Sequence, residues 1–256
     1  MRIKTKAPMR VCFGGGLLDI FPINLIIGGY TVNAAINKFV TIEIQDNDKL
    51  EINAVKTRLP GAFASIYGLQ NKKISINEDI TGFKGFGQSA ALGVALGYAV
   101  LNDKDAAAAI SYEVENKILG IVGGYQDQIA ASKGGFNIIL NENGTHKVET
   151  ITNLSKEFLD KIKKEIVFFS KAYAHSGIKN EEIVEKVMNG DKEVIDLLNG
   201  IKTCTENMVH SLKNQDADSF IEWVNKEREY HENLRKREGP KLPDYEFEFV
   251  GVRKIE

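Results

Sequence analysis

Ten residues, Gly82-Phe83-Lys84-Gly85-Phe86-Gly87-Gln88-Ser89-Ala90-Ala91, constrain this chain more than any others. Three glycines lead directly into a run of helix formers, Ala90 to Val100. A glycine-rich segment that opens a helix leaves backbone N–H groups uncovered. The helix N-terminus adds roughly half a positive charge, so phosphate is the natural ligand of such a site. The segment therefore points to a nucleotide-using enzyme. It is not a P-loop, which needs Lys then Ser or Thr directly after its last Gly, whereas Gln88 and Ser89 follow Gly87. Nor is it a dinucleotide-binding turn, because no third Gly stands at the required offset from Gly85 and Gly87. On this segment alone a plainer reading stays open, in which the glycines only cap and connect.

The 256 residues suffice for one large or two small domains with an ample core. A net charge of -2 argues against nucleic acid or an acidic membrane surface as partner. Cys12 and Cys204, far apart, offer neither metal-ligand spacing nor a disulfide framework, so a reduced, cytoplasmic setting is expected. The basic start, Met1 to Lys6, is not followed by the apolar run and cleavage site of a secretory signal. The apolar runs fall well short of the ~20 residues that span a bilayer.

Arg10–Phe13 and the alternating, Val-, Ile- and Thr-rich Tyr30–Ile44 read as strands, with turns at Gly14-Gly15-Gly16 and Gly28-Gly29. Ser89–Leu101 is apolar nearly all round and predicts a buried helix. Asp103 or Asp105 is placed to cap the next helix, which runs through Ala106–Ala109 to Leu119 and stops at Gly120. A second glycine-led loop, Gly123 to Gln128, enters a short Ala-rich helix. Phe136–Leu140 and Lys147–Ile151 form a hairpin about Asn143-Gly144. A strand over Ile166–Ala174 follows, then helices over Glu181–Met188, Lys192–Leu212 and Asp218–Arg235, with Gly190 and Gly200 as punctuation. Phe247–Val252 is a further candidate strand. The chain thus turns from β-rich to helical near 155–180. His146, His175, His210 and His231 show no metal spacing, and Trp223 packs at core spacing with Phe220.

Five segments occur in a telling order. They are Lys6-Ala7-Pro8-Met9-Arg10-Val11; Gly14-Gly15-Gly16-Leu17-Leu18-Asp19; Gly28 to Lys38; Gly85-Phe86-Gly87-Gln88-Ser89-Ala90-Ala91; and Gly123-Gly124-Tyr125-Gln126-Asp127-Gln128, the last running on to Gly134-Gly135-Phe136-Asn137. Each is weakly specific, but the ordered set resembles the galactokinase–homoserine kinase–mevalonate kinase–phosphomevalonate kinase (GHMP) family, and within it the heptose 7-phosphate kinase branch. The resemblance covers residues 1 to about 237.

It implies an α+β, two-domain fold. Residues 1–155 would be the ATP-binding domain of ribosomal S5 domain 2-like form, and 156–256 a shortened, largely helical C-terminal domain. It implies ATP and Mg²⁺ as cofactors and transfer of a phosphoryl group to an alcohol. Gly85, Phe86, Gly87, Gln88, Ser89 and Ala90 match the ATP loop; Ser89 and Glu115 match the Mg²⁺ ligands. A hydroxyl suits a hard cation without adding full charge, and Ser89 could equally cap its helix. Glu113 and Glu115 lie on different helix faces, so one of them is a solvated charge. Asp127 matches the catalytic base, with Arg10 steadying it. Phosphoryl transfer needs mostly alignment and charge stabilisation, which suits this pair. Gly15, Gly16 and Asp19 match the sugar-binding segment, and Lys38, Lys171 and Lys179 are candidates for holding a substrate phosphate. The implied partner is a small sugar or sugar phosphate, without nucleic acid or membrane, and a homodimer is compatible with the pattern.

Two departures stand out. Gln88 replaces the small residue usual before Ser89, although its amide could donate to a phosphate. The glycine-rich third motif of the family has no counterpart, because Pro240-Lys241-Leu242-Pro243-Asp244-Tyr245 follow Gly239. Beside an active sugar or sugar-phosphate kinase, the sequence leaves open a mevalonate-type isoprenoid kinase and a degenerate, non-catalytic nucleotide- or sugar-binding relative.

Overall fold

The computed structural model describes residues 2–53, 58–170, 176–234 and 239–255, with the backbone alone for 176–179. Among the described residues, seven strands form one sheet in the order β3-β4-β2-β1-β7, with β5 on β2 and β6 on β5. They are β1 (Arg2–Gly14), β2 (Gly29–Asp46), β3 (Glu51–Ile52), β4 (Lys72–Glu78), β5 (Phe136–Glu142), β6 (Thr145–Ile151) and β7 (Arg253–Lys254). The 18-residue β2 is long enough to be shared. Gly29 to Ala34 pair with β5, Val40 to Asp46 pair with β4, and β1 runs antiparallel along nearly its whole length. The register shifts between Pro8 and Met9, since proline has no N–H to give the ladder. From Ala7 to Val11 every residue of β1 is buried. The strand therefore has both faces covered, and Arg10 stands in its middle.

The helices are α1 (Ile23–Ile26), α2 (Leu59–Ile66), α3 (Gln88–Leu101), α4 (Lys104–Glu113), α5 (Gln126–Lys133), α6 (Lys156–Glu165), α7 (Ser176–Met188), α8 (Lys192–Lys213) and α9 (Ala217–Leu234). α3 packs on β1 and β2, as its all-round apolar sequence requires. Asp103 caps α4 by accepting the Ala106 N–H, and Asn143 and Gly144, both at positive φ, turn the hairpin. α8 and α9 pack against each other and reach β2 and β1.

Several expectations are revised. Gly200 does not punctuate anything: it lies inside α8, where a Cβ would fall 2.5 Å from the Tyr230 ring, so it is there to let α9 approach. The strand over Ile166–Ala174 reduces to a bridge between Phe169 and Lys241, and 171–174 lie outside the described residues, as does His175. Phe247–Val252 pairs only at Phe247 with Ile36, and the true strand follows at Arg253. α2, β3, β4 and α6 had no counterpart in the sequence reading.

The β-rich and helical halves share one core. Phe13 of β1 meets Phe136 of β5, and also Phe168 and Phe220 of the helical half, with ring centroids 5.0–5.7 Å apart. A smaller cluster seats Leu17, Leu18, Ile20 and Ile23 on Ile183, Val187, Val194, Leu198 and Ile201 of α7 and α8. The triple-glycine turn is thereby held between the sheet and the C-terminal helices.

Candidate active site

The glycine loop reaches α3 through a left-handed residue. Gly87, the N-cap, has φ +75°, and Gly85 has φ +89°. No side chain caps α3, so its first N–H groups are left for an outside acceptor, and the helix dipole favours an anion there. The loop is anchored beneath. Phe86 is buried, its carbonyl accepts the Arg10 backbone N–H at 2.9 Å, and the Arg10 guanidinium donates to the Gly85 carbonyl. Gln88 turns its amide onto the Phe83 carbonyl, closing the loop on itself instead of offering that donor outward.

Ser89 is exposed at the rim, and its hydroxyl donates to Glu115, while Gln128 Nε2 donates to the other Glu115 oxygen at 2.6 Å. Glu115 lies on a π-helical turn, Val114–Ile118, that continues α4. This wider turn carries Glu115 inward, whereas Glu113 stays outside in a surface pair with Lys117. Burial lifts the Glu115 carboxyl to about 7, against the Ser89 and Gln128 hydrogen bonds that pull it down, and nearby Asp127 adds to the rise. A buried carboxylate with so little compensating charge is suited to a cation. Among the described residues no three His, Cys, Asp or Glu side chains gather to hold a metal alone. A cation bound by one carboxylate and one hydroxyl would have to share ligand oxygens, the usual mode for Mg²⁺ with phosphates.

Asp127 sits in the first turn of α5 and is gripped by Arg10: Nε lies 2.7 Å and Nη2 2.5 Å from Oδ1. Oδ2 carries no hydrogen bond among the described residues. A Cβ on Gly87 would lie 3.3 Å from Arg10 Cγ and 3.6 Å from Asp127 Cβ, so the loop, the cation and the carboxylate are in contact. The N-terminus of α5 is fixed in turn. Gln126 N–H donates to Asp19 Oδ2 at 3.0 Å, and the Gln126 carbonyl accepts from Asn33, which accepts from Asn137. Gly124 must be glycine because Asp19 Oδ2 would lie 1.9 Å from its Cβ. Arg10, Ser89, Glu115 and Asp127, spread over 117 residues, are thus brought to one locus.

A model of the GHMP kinases N terminal domain matches residues 52–135, the stretch that holds the loop, Glu115 and Asp127. The D-glycero-alpha-D-manno-heptose 7-phosphate kinase of Campylobacter jejuni subsp. jejuni serotype O:2 is 25% identical to this chain over 88% of it and 75% of its own length. Over residues 52–135 the chain is thus similar to the GHMP kinases. In fold the chain is similar to a D-glycero-D-manno-heptose 1-phosphate kinase from Bacteriodes thetaiotaomicron, with TM-score 0.75, 20% identity and 99% of each chain covered. It is also similar to the L. major mevalonate kinase solved with R-mevalonate, with TM-score 0.66, 13% identity, and 91% of this chain and 76% of that one covered.

Beside this locus opens a cleft of about 330 Å³. Arg10, Gly16, Gly85 and Gln126 line one part of it; Phe168, Arg228 and His231 line another. Ser89 and Glu115 do not. Gly16 admits the Gln126 amide, whose Nε2 would be 3.1 Å from a Cβ there. Gly15, at φ +76°, donates its N–H to the fully buried Glu227 of α9 at 3.1 Å, and its carbonyl accepts from Thr31. Asp19 stands behind the cleft and not in it: it is 3% exposed, and Oδ1 has no hydrogen-bond partner among the described residues. The turn carries it under α5 and away from the opening. Lys38 does not line the cleft, Lys171 lies outside the described residues, and only the backbone of Lys179 is described. Sequence reasoning missed Gln128, Glu227 and Arg228. Gln128 was visible as part of its motif, but nothing in the helical half signalled the other two.

Proposed function

We propose that this chain is an ATP- and Mg²⁺-dependent kinase that phosphorylates a hydroxyl of a sugar or sugar phosphate. The observation that carries the reading is the Arg10–Asp127 pair, held against Gly87 at the mouth of an uncapped helix and beside a separate cleft. The heptose-phosphate kinases among its relatives support the acceptor class.

The nucleotide phosphates would meet the N–H groups at the start of α3, where the helix dipole offsets their charge. Ser89 and Glu115 would hold Mg²⁺, which, when bound, supplies charge neutralisation on the phosphates. The acceptor would enter the cleft over Gly16 and Gln126. Asp127 Oδ2 would accept the hydrogen bond, and then the proton, of the attacking hydroxyl. Arg10 fixes the carboxylate in rotation through two contacts to Oδ1, so little reorganisation is needed when the hydroxyl arrives.

The decisive experiment incubates the purified chain with Mg-ATP and a panel of hexoses, heptoses, their phosphates and mevalonate, and measures ADP release. Asp127→Asn is expected to lower turnover by roughly 10²- to 10⁴-fold while ATP affinity changes little. Equal rates for variant and parent would remove Asp127 from the mechanism. Nucleotide or sugar binding by the parent without turnover on any acceptor would leave a non-catalytic binder.

A further inference from the structure

The glycine loop is held from both halves of the chain, and the hold from the helical half has no part in the chemistry above. Gly82, Gly85 and Gly87 all have positive φ, so the segment that leads into α3 has a backbone of wide conformational freedom. Arg10 fixes the Gly85 and Phe86 carbonyls, and Gln88 fixes that of Phe83. Between them stands Lys84. Its backbone N–H donates to the Ser170 hydroxyl at 2.9 Å, and that hydroxyl donates in turn to the Lys84 carbonyl at 3.4 Å. One side chain thus grips both backbone polar groups of a single loop residue.

Ser170 is 86 positions further along the chain and is built as a fixed post. It is 2% exposed. Its own N–H donates to the Pro240 carbonyl at 2.9 Å, and the Leu242 N–H donates to the Phe168 carbonyl at 2.8 Å, which joins 168–170 to 240–242. Gly239 completes the seat, since a Cβ there would fall 2.2 Å from the Ser170 carbonyl oxygen. Phe168 ties these segments into the aromatic core at Phe13. Lys84, by contrast, is exposed, so the hydroxyl holds the loop on its solvent side. A loop fixed before its ligand arrives loses less freedom on binding, and the smaller loss appears as affinity.

We propose that Ser170 is a positioning residue for the nucleotide: through Lys84 it sets the glycine loop, and so makes the helical half part of the ATP site. The proposal rests on the kinase reading above, in which the phosphates meet the start of α3.

The test has two arms, and the first needs no ligand. Amide hydrogen exchange is followed by NMR in the parent, Ser170→Ala and Ser170→Thr. The parent's Lys84 N–H should exchange about tenfold more slowly than a freely exposed amide, and Ser170→Ala should lose that protection while β1 and β2 keep theirs. Ser170→Thr, which retains the hydroxyl, should stay protected. The second arm measures steady-state kinetics, with the melting temperature recorded alongside. Ser170→Ala should raise the KM for ATP roughly 3- to 10-fold, the size of one lost hydrogen bond, with kcat and the acceptor KM within about twofold. Ser170→Thr should recover most of the loss. An unprotected Lys84 in the parent would overturn the proposal, as would an unchanged ATP affinity in Ser170→Ala. An equal rise in both KM values would overturn it too, because it would mark general damage to the cleft wall that Val167, Phe168 and Phe169 form. If Ser170→Ala folds poorly, Ser170→Cys, whose thiol is only a weak donor and acceptor, is judged by the same split. If the parent turns over no acceptor, calorimetry with Mg-ADP supplies the affinities. A parent that binds no nucleotide would sink the kinase reading and the ATP role of Ser170 together, and the exchange arm would then show whether the tether itself stands.

Discussion

Asp19 shows how far a single residue's role depends on where the chain sets it. The family resemblance assigns it to a sugar, while its carboxylate is buried and holds the first N–H of α5. Burial raises its carboxyl from 3.8 to about 6, against the Gln126 hydrogen bond that lowers it. The folded chain therefore binds this proton more tightly than the unfolded chain. The stabilisation is complete below about pH 4 and is lost as pH rises to about 6. Between pH 4.5 and 7 the loss is on the order of 2 kcal/mol. Asp19→Asn removes the titration and can keep an oxygen for Gln126. Urea denaturation at pH 4.5 and 7 should show a smaller drop for the variant than for the parent; identical drops would exclude Asp19 as the source. Glu115, lifted to about 7, acts with the same sign. Among the catalytic candidates, residue identity was legible in the sequence. Arg10, Ser89 and Asp127 each lie in one of the ordered segments, whereas Glu115 lies in none and was matched only by its place before Gly120. Arg228 was not legible, because a lone Arg on an amphipathic helix looks like any solvated charge until its helix is placed.

At the scale of elements, local signals served where backbone chemistry dictates the outcome. The Asn143-Gly144 turn, the Asp103 cap, the stop at Gly120 and the apolar α3 stand as the residues suggest. The π-turn that moves Glu115 inward has no such signature in the residues Val114 to Ile118. Gly200 and Gly61 make the contrast testable. Both are helical, and propensity alone favours alanine at each by about 0.5–1 kcal/mol. Nothing lies within 4 Å of a Cβ on Gly61, whereas one on Gly200 meets Tyr230 at 2.5 Å. Thermal melts should therefore find Gly61→Ala slightly more stable than the parent, and Gly200→Ala less stable by about 1–3 kcal/mol. Stabilisation by both substitutions would show that α9 does not press on α8 as described.

For the molecule as a whole, the change from β-rich to helical sequence near 155–180 is real, yet the core does not divide there. The aromatic cluster at Phe13 spans both halves, and β7, near the end of the described chain, pairs with β1. Phe13→Ala should cost about 3–5 kcal/mol, because it empties a fully packed site at the junction. In guanidinium denaturation of the parent, Trp223 fluorescence, which reports the helical half, and far-UV circular dichroism should follow a single transition. Two separated transitions would mean that the halves unfold as independent units.

The sequence by itself determined the candidates: the glycine loop, the acid, the cation and the order in which they recur depend on residue type and short spacing, which local physics reads directly. Only the tertiary structure decided which acidic residue faces inward, that Asp19 braces α5 from behind the cleft, and that α9 completes that cleft with Arg228. Those outcomes depend on contacts between residues up to about two hundred positions apart. Such contacts arise from packing a shared core, and leave no period or motif in the chain.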